Sequence, residues 1–468
     1  MTPDKIQFLF NFRKHKLRVK LAKLKSHIME IKRDIIIKLK EWKNSSSRRP
    51  LLIQGARQIG KTWVMKKFGK ECYSSFVYFN FDSNEPLKEE FKRTKQPDRL
   101  LEILRLYTST PIKPEETLII FDEIQECPDA LNSLKYFCED APGYHIIAAG
   151  SLLGVAIHRH KGFPVGKVDF IKMYPISFSE YLRAAKPEIW DYIDGMTEIT
   201  PLPAIVESKM WDTYRQYQIC GGMPRAAVAS LENPGQEKVV AEQREILTSY
   251  YFDFSKHAPE TIFPKIAAVW RSLPSQLSKE NRKFIYKVVK NGARAREYED
   301  ALTWLKEAGL IYQIYCLSKP GLPLSAFDDI SAFKIYLLDV GLLRELANIP
   351  PTIFTSDSSD FIEFKGALTE NTVLENLLPA IDQMPRYWVS NATAEVDFII
   401  QNGLDIIPIE VKSSVNTSSK SLSVYISKYK PSTAVILSAK EFSVSRGNGD
   451  TRVINLPLPM TGWLPKFL

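Results

Sequence analysis

Leu51-Leu52-Ile53-Gln54-Gly55-Ala56-Arg57-Gln58-Ile59-Gly60-Lys61-Thr62 is the stretch whose reading decides the fold. A short apolar strand runs straight into a glycine-rich turn, and a helical pattern follows over residues 62–70. A turn of this kind leaves backbone N–H groups pointing inward beside the positive end of the helix dipole, so it cradles phosphate. Gly55 and Gly60 permit the turn, and Ala56, Arg57, Gln58 and Ile59 form its body. Lys61 is placed to reach terminal phosphates and the Thr62 hydroxyl to ligate Mg²⁺. The plain alternative is a glycine turn that happens to precede Lys-Thr; the strand before it and the helix after it argue against that.

Working outward, residues 117–121 read as a buried strand that ends on Asp122-Glu123. Asp122 is suited to the Mg²⁺ shell, and Glu123 to orienting and polarising a water for attack on a γ-phosphate. An adjacent acidic pair favours hydrolysis over transfer to a second substrate, so the expected cofactors are ATP and Mg²⁺. The following strand, residues 145–150, ends at Gly150-Ser151, where Ser151 is placed to sense the γ-phosphate. Arg159, Lys167 and Arg225 are candidates for the extra cation that phosphoryl transfer usually needs. Strands alternating with helices predict a P-loop NTPase sheet, parallel and covered on both faces.

These motifs, with Phe-Asp-Glu-Ile-Gln, Gly-Ser-Leu-Leu-Gly, Tyr-Pro-Ile-Ser-Phe and Gly-Gly-Met-Pro-Arg, resemble a large family of prokaryotic AAA-type ATPases. That family joins its ATPase to a C-terminal domain of unknown function of the DUF4143 type. The resemblance runs from about Met29 to the end. It implies ATP binding and this domain order, and it says little of biological role.

The expected organisation is α/β throughout. A basic leader (1–28) precedes the ATPase core (29–200), a helical lid (201–263), a winged-helix-like region (264–350) and a nuclease-like end (351–468). Eight Lys and Arg against Asp4 alone give the leader +7 of the chain's net +9, so the remainder is almost neutral. The leader reads as a solvated tail, as an arm for an anionic polymer, or as an extension upstream of a true start at Met29. Five scattered cysteines without CxxC spacing argue against a disulfide framework and a zinc site, and for a reducing cytoplasm. No stretch has the roughly 20 apolar residues that cross a bilayer.

Residues 285–318 resemble a winged helix, with 294–308 in the recognition position. Glu297, Glu299, Asp300 and Glu307 outnumber Arg296 and Lys306 there, with Arg294 at the helix entry, so packing or protein contact competes with DNA binding. Farther on, Glu370 on a helix, Asp397 on a strand and Glu410-Val411-Lys412 on the next strand follow the order of the restriction-endonuclease-like superfamily. That resemblance implies Asp397 and Glu410 sharing Mg²⁺, with Lys412 positioning hydroxide on a phosphodiester. Val396 stands where that superfamily usually has Pro. The competing reading keeps the fold as a binding module. The leading expectation is thus an ATP-hydrolysing machine acting on DNA through its winged-helix and nuclease-like parts; the alternative is a nucleotide-dependent switch whose C-terminal parts bind a protein partner without cutting, and the oligomeric state is left open.

Overall fold

The computed structural model describes residues 30–155, 163–232, 235–278, 283–354, 362–390, 394–414, 419–447 and 449–468. The basic leader and Arg159 lie outside the described residues.

Five apolar strands build the first sheet: β1 (Leu51–Gln54), β2 (Ser75–Asn80), β3 (Thr117–Asp122), β4 (His145–Ala149) and β5 (Asp169–Lys172). Their order is β2-β3-β4-β1-β5, and every pairing is parallel. All residues of β3 and β4 are buried, as strands covered by helices on both faces must be. Because β4 lies between β1 and β3, the chain leaving β4 emerges between the phosphate loop and the Asp122-Glu123 pair. The order of three strands therefore decides where the chemistry sits.

Helices Ala204–Cys220, Pro224–Glu232 and Gln236–His257 follow. Next come helices Phe263–Leu277 and Ala295–Glu307, then the antiparallel pair β6 (Ile311–Leu317) and β7 (Asp328–Leu337). A bridge from Lys283 to Lys334 adds a third short pairing to this hairpin.

The last part contains helix Ile362–Ile381, β8 (Arg386–Val389), β9 (Glu395–Asn402), β10 (Asp405–Val411) and helix Lys420–Tyr429. It ends with β11 (Thr433–Ser438), β12 (Ser443–Arg446) and β13 (Arg452–Pro457). These strands do not form a separate sheet. β6 pairs in parallel with β8 at Cys316–Tyr387 and Leu317–Trp388, giving one eight-stranded sheet ordered β12-β13-β11-β10-β9-β8-β6-β7. The sheet thus crosses the boundary expected at residue 350: the linker there ends a segment of chain, not a layer of structure. No helix among the described residues is long and apolar enough to cross a membrane.

Residues 367–378 of helix Ile362–Ile381 are buried on every side. Its polar residues must therefore find partners inside the protein. The Asn371 side chain accepts Leu337 N–H at 2.9 Å and donates to Leu337 O at 3.1 Å. Asn376 Oδ1 accepts Phe178 N–H at 2.5 Å. Glu375 Oε2 accepts Val340 N–H at 2.9 Å. The Tyr217 hydroxyl lies 2.8 Å from Ile176 O and 2.6 Å from Glu375 Oε1, two oxygens for one proton. If the phenol donates to the carbonyl, the second short contact requires a proton on the carboxyl. Burial and the neighbouring Asp339 push Glu375 well above its ordinary value, in agreement with that arrangement.

The folded protein holds this proton, while the unfolded chain releases it above the ordinary value of 4.5. The contribution of Glu375 is therefore full below that pH. It falls by about 1.4 kcal/mol per pH unit as pH rises toward the folded-state value. Glu375→Gln keeps both hydrogen bonds and cannot ionise. Urea unfolding between about pH 5 and 7.5 should show the variant gaining on the wild type as pH rises. A difference that does not change with pH would mean an ionised Glu375 in the fold.

Candidate nucleotide site

Gly60 adopts φ 94°, a left-handed conformation that side chains disfavour, and the helix Lys61–Cys72 begins at the next residue. The loop is held from outside by Arg33. Its guanidinium donates to Ile59 O at 3.1 Å and to Tyr174 O at 2.7 Å, and pairs with Glu180 at 3.1 Å. Glu180 also closes the capping box of helix Phe178–Ala185 with Ser177. The Tyr-Pro-Ile-Ser-Phe segment thus reaches the phosphate loop through one buried ion pair.

Lys61 is buried and its ammonium donates to Gly55 O at 2.9 Å and Ala56 O at 2.7 Å. Burial pushes it down to about 8, while Glu123 and Asp122 pull upward and Arg57 adds to the fall. Thr62 donates its hydroxyl to Asp122 Oδ2 at 2.6 Å, and the Tyr78 hydroxyl donates to the same oxygen at 2.9 Å. A hydroxyl and a carboxylate thus stand side by side at the loop, an oxygen donor set that fits Mg²⁺.

Glu123 sits at φ 50°, an uncommon conformation for a residue with a side chain. Its Oε1 accepts the Ser151 hydroxyl at 2.7 Å. Its Oε2 accepts Ser151 N–H at 3.1 Å and Gln125 Nε2–H at 2.7 Å. Burial pushes this carboxyl up, yet the donors from Gln125 and Ser151, with the charge of Lys61, outweigh it and hold Glu123 below its ordinary value. Gln125 was legible only as part of the Phe-Asp-Glu-Ile-Gln motif.

Two elements from later in the chain also reach the loop. The Tyr250 hydroxyl of helix Gln236–His257 donates to Arg57 O at 2.9 Å, and Asp253 of the same helix pairs with the Arg57 guanidinium. Gly309, just past helix Ala295–Glu307, packs so close that a Cβ there would meet Ala56 N at 3.1 Å. Nothing in the sequence marks these contacts. Among the proposed extra cations, Lys167 pairs with Glu139 at 2.8 Å, and Arg225 with Glu242 at 2.6 Å and Glu245 at 2.8 Å. Both are held by acidic neighbours, whereas Arg57 stands in the loop itself.

In the C-terminal part, Val411 N–H donates to Asp397 Oδ2 at 2.8 Å, and Lys412 pairs with Glu410 at 2.7 Å. Burial and the nearby Asp397 push Glu410 up to about 7, with Lys412 and Ser419 opposing. Glu370 meets this group at Lys334 of β7, whose ammonium lies 4.0 Å from both Glu370 and Asp397 and pairs with Glu395. Neither Lys334 nor Glu395 was singled out in the sequence. Among the described residues no group of three or more His, Cys, Asp or Glu side chains is arranged to hold a metal ion.

Residues 47–182 match the model of an AAA domain family, and residues 365–460 that of a domain of unknown function, DUF4143. A third model, the domain of unknown function DUF8612, matches residues 212–352 and spans the segments expected as separate lid and winged-helix regions. The chain thus joins an AAA-type P-loop ATPase domain to a DUF4143 domain. Nothing among curated proteins matches the sequence. Among solved structures, a Walker-type ATPase of Pyrococcus abyssi is similar at 14% identity and TM-score 0.42, over 68% of this chain and 96% of that one. The Orc1 protein of Aeropyrum pernix in complex with DNA is similar at 12% identity and TM-score 0.27, over 67% and 91%. A STAND protein with a tetratricopeptide repeat sensor from Pyrococcus horikoshii is similar at 14% identity and TM-score 0.26, over 75% and 46%.

The depressed Lys61 yields a pH test of the loop. If phosphates are held by the charged Lys61 ammonium, then above about pH 8 the free protein must take up a proton to bind them. Affinity for a non-hydrolysable ATP analogue, measured by calorimetry, should weaken from about pH 7.5 upward, approaching ~10-fold per pH unit. Lys61→Arg, which stays charged, should remove that slope. An unchanged affinity in the wild type up to about pH 9.5 would contradict a role for Lys61 in phosphate binding.

Proposed function

We propose that the chain binds ATP with Mg²⁺, hydrolyses it at the Lys61–Glu123 site, and works as a nucleotide-dependent switch whose later parts engage a protein partner. Thr62 and Asp122 would hold the Mg²⁺, which when bound supplies charge neutralisation on the phosphates. The loop N–H groups and Lys61 orient the triphosphate. Glu123, kept ionised by Ser151 and Gln125, accepts a proton from a water as its oxygen bonds to the γ-phosphorus. The bond to the β-phosphate oxygen breaks and ADP leaves. Arg57 is the cation best placed to meet the γ-phosphate, once it leaves Asp253.

The switch reading rests on one observation: helix Gln236–His257 and the end of helix Ala295–Glu307 both contact the phosphate loop. A change at Arg57 or Ala56 is therefore felt directly by elements of the later chain. A DNA-associated role is the second reading, and the helix–hairpin order of residues 263–337 favours it. The surplus of acidic side chains on the exposed face of helix Ala295–Glu307 weighs against it.

Glu123→Gln should keep ATP binding and lower turnover by roughly 10²–10⁴-fold, while Lys61→Ala should lose binding. Full turnover in either variant would remove the assignment. In the Glu123→Gln protein, hydrogen exchange of helices Gln236–His257 and Ala295–Glu307 should slow or quicken on adding ATP. Unaltered exchange in both helices would remove the switch. Stimulation of turnover by duplex DNA would instead support the second reading.

A further inference from the structure

The carboxylates expected to hold a divalent ion in the C-terminal part already face a cation that belongs to the chain. Lys334 lies on β7, outside the segment that carries the nuclease-like motif, and its side chain is fully buried. Its ammonium pairs with Glu395 and stands 4.0 Å from Glu370 Oε2 and from Asp397 Oδ1. It also lies 5.0 Å from the centre of the Tyr387 ring, whose face attracts a cation. The Tyr336 hydroxyl donates to Glu370 Oε2 at 3.0 Å, and Val411 N–H to Asp397 Oδ2 at 2.8 Å.

We infer that Lys334 takes the place of a metal ion in this cluster, so that Glu370, Glu395 and Asp397 form a closed internal ion cluster that binds no divalent cation and cuts no phosphodiester. A buried charge persists only when paired, and here the ammonium is ion-paired with Glu395 and lies within 4.0 Å of Glu370 and Asp397. A Mg²⁺ among the same oxygens would meet that positive charge at close range with little water between them. It would also need room for the several waters it normally retains, yet Glu370, Asp397 and Glu410 are only 5%, 9% and 4% exposed. Lys412, paired with Glu410, is the member nearest the surface.

The cluster has a positive role in this arrangement. Lys334 comes from the hairpin β6–β7, Glu370 from helix Ile362–Ile381, and Glu395 and Asp397 from β9. Their pairing fastens the middle of the chain to its end, and the same helix is bonded to β7 again through Asn371.

The experiment uses the full chain carrying Lys61→Ala, which disables the nucleotide site, and reads Mn²⁺ binding by electron paramagnetic resonance. That protein should show no Mn²⁺ site that Asp397→Asn removes, and its thermal unfolding should be the same in EDTA and in Mn²⁺. Adding Lys334→Met takes away the internal cation. It should create a Mn²⁺ site and make unfolding Mn²⁺-dependent by several degrees, and Asp397→Asn should abolish both effects. Should Lys334→Met fail to fold, the EDTA and Mn²⁺ comparison with Lys334 intact decides. A Mn²⁺ signal, or a stabilisation above about 2 °C, that Asp397→Asn abolishes would overturn the inference. So would Mg²⁺-dependent cleavage of DNA by the Lys61→Ala protein that Asp397→Asn abolishes. Loss of nucleotide hydrolysis in other variants has no bearing on either readout, so failure of the ATPase reading and failure of this one are separable.

Discussion

A carboxylate shut away from water must be given hydrogen bonds, and Asp339 is where this protein meets that requirement. Asp339 Oδ2 accepts Gly222 N–H at 2.5 Å and Oδ1 accepts Leu342 N–H at 2.7 Å. Burial pushes its carboxyl up to about 6, restrained by backbone donors from Leu342, Gly222, Met223 and Gly341. Gly221, at φ 70°, packs so tightly on this carboxylate that a Cβ would collide with it at 2.3 Å. The Gly-Gly-Met-Pro break is therefore a seat for a carboxylate brought from over a hundred residues later. The neighbouring Glu375 and Tyr217 extend the same buried network into helix Ile362–Ile381.

That seat also positions the nucleotide site. Pro224, two residues after Gly222, lies beside Gly60, whose Cβ position is 3.7 Å from Pro224 Cγ. The Arg33 guanidinium, paired with Glu180, also donates to Ile59 O of the loop. A third contact comes from Tyr250 and Asp253. The phosphate loop is thus bounded by elements that are themselves tied to the end of the chain. Breaking or remaking the exposed Arg57–Asp253 pair costs little compared with disturbing the buried pairs around it. Motion should therefore concentrate at Arg57 and spare Arg33.

The eight-stranded sheet has a related consequence. Because β6 pairs with β8, the middle region and the C-terminal region share backbone hydrogen bonds, and they share the ion cluster around Lys334 as well. A linker rich in Ser, Asp and Thr, visible in composition, does not reveal that strands on either side of it pair. Strand pairing depends on partners that are distant in sequence, which composition does not carry.

The sequence by itself determined the phosphate loop, the Asp122-Glu123 pair and Ser151, because each is a local pattern whose geometry follows from a strand end and the turn beyond it. It also determined the α/β alternation, and the order of helix and strands that bears Glu370, Asp397, Glu410 and Lys412. Only the tertiary structure decided which charges meet. Lys167 and Arg225 are claimed by acidic neighbours, Arg57 by Asp253, and Glu370, Glu395 and Asp397 by Lys334. The reason is that backbone pattern is set by residues a few positions apart, whereas the partner of a buried charge is set by whichever opposite charge the packed chain brings within a few ångströms.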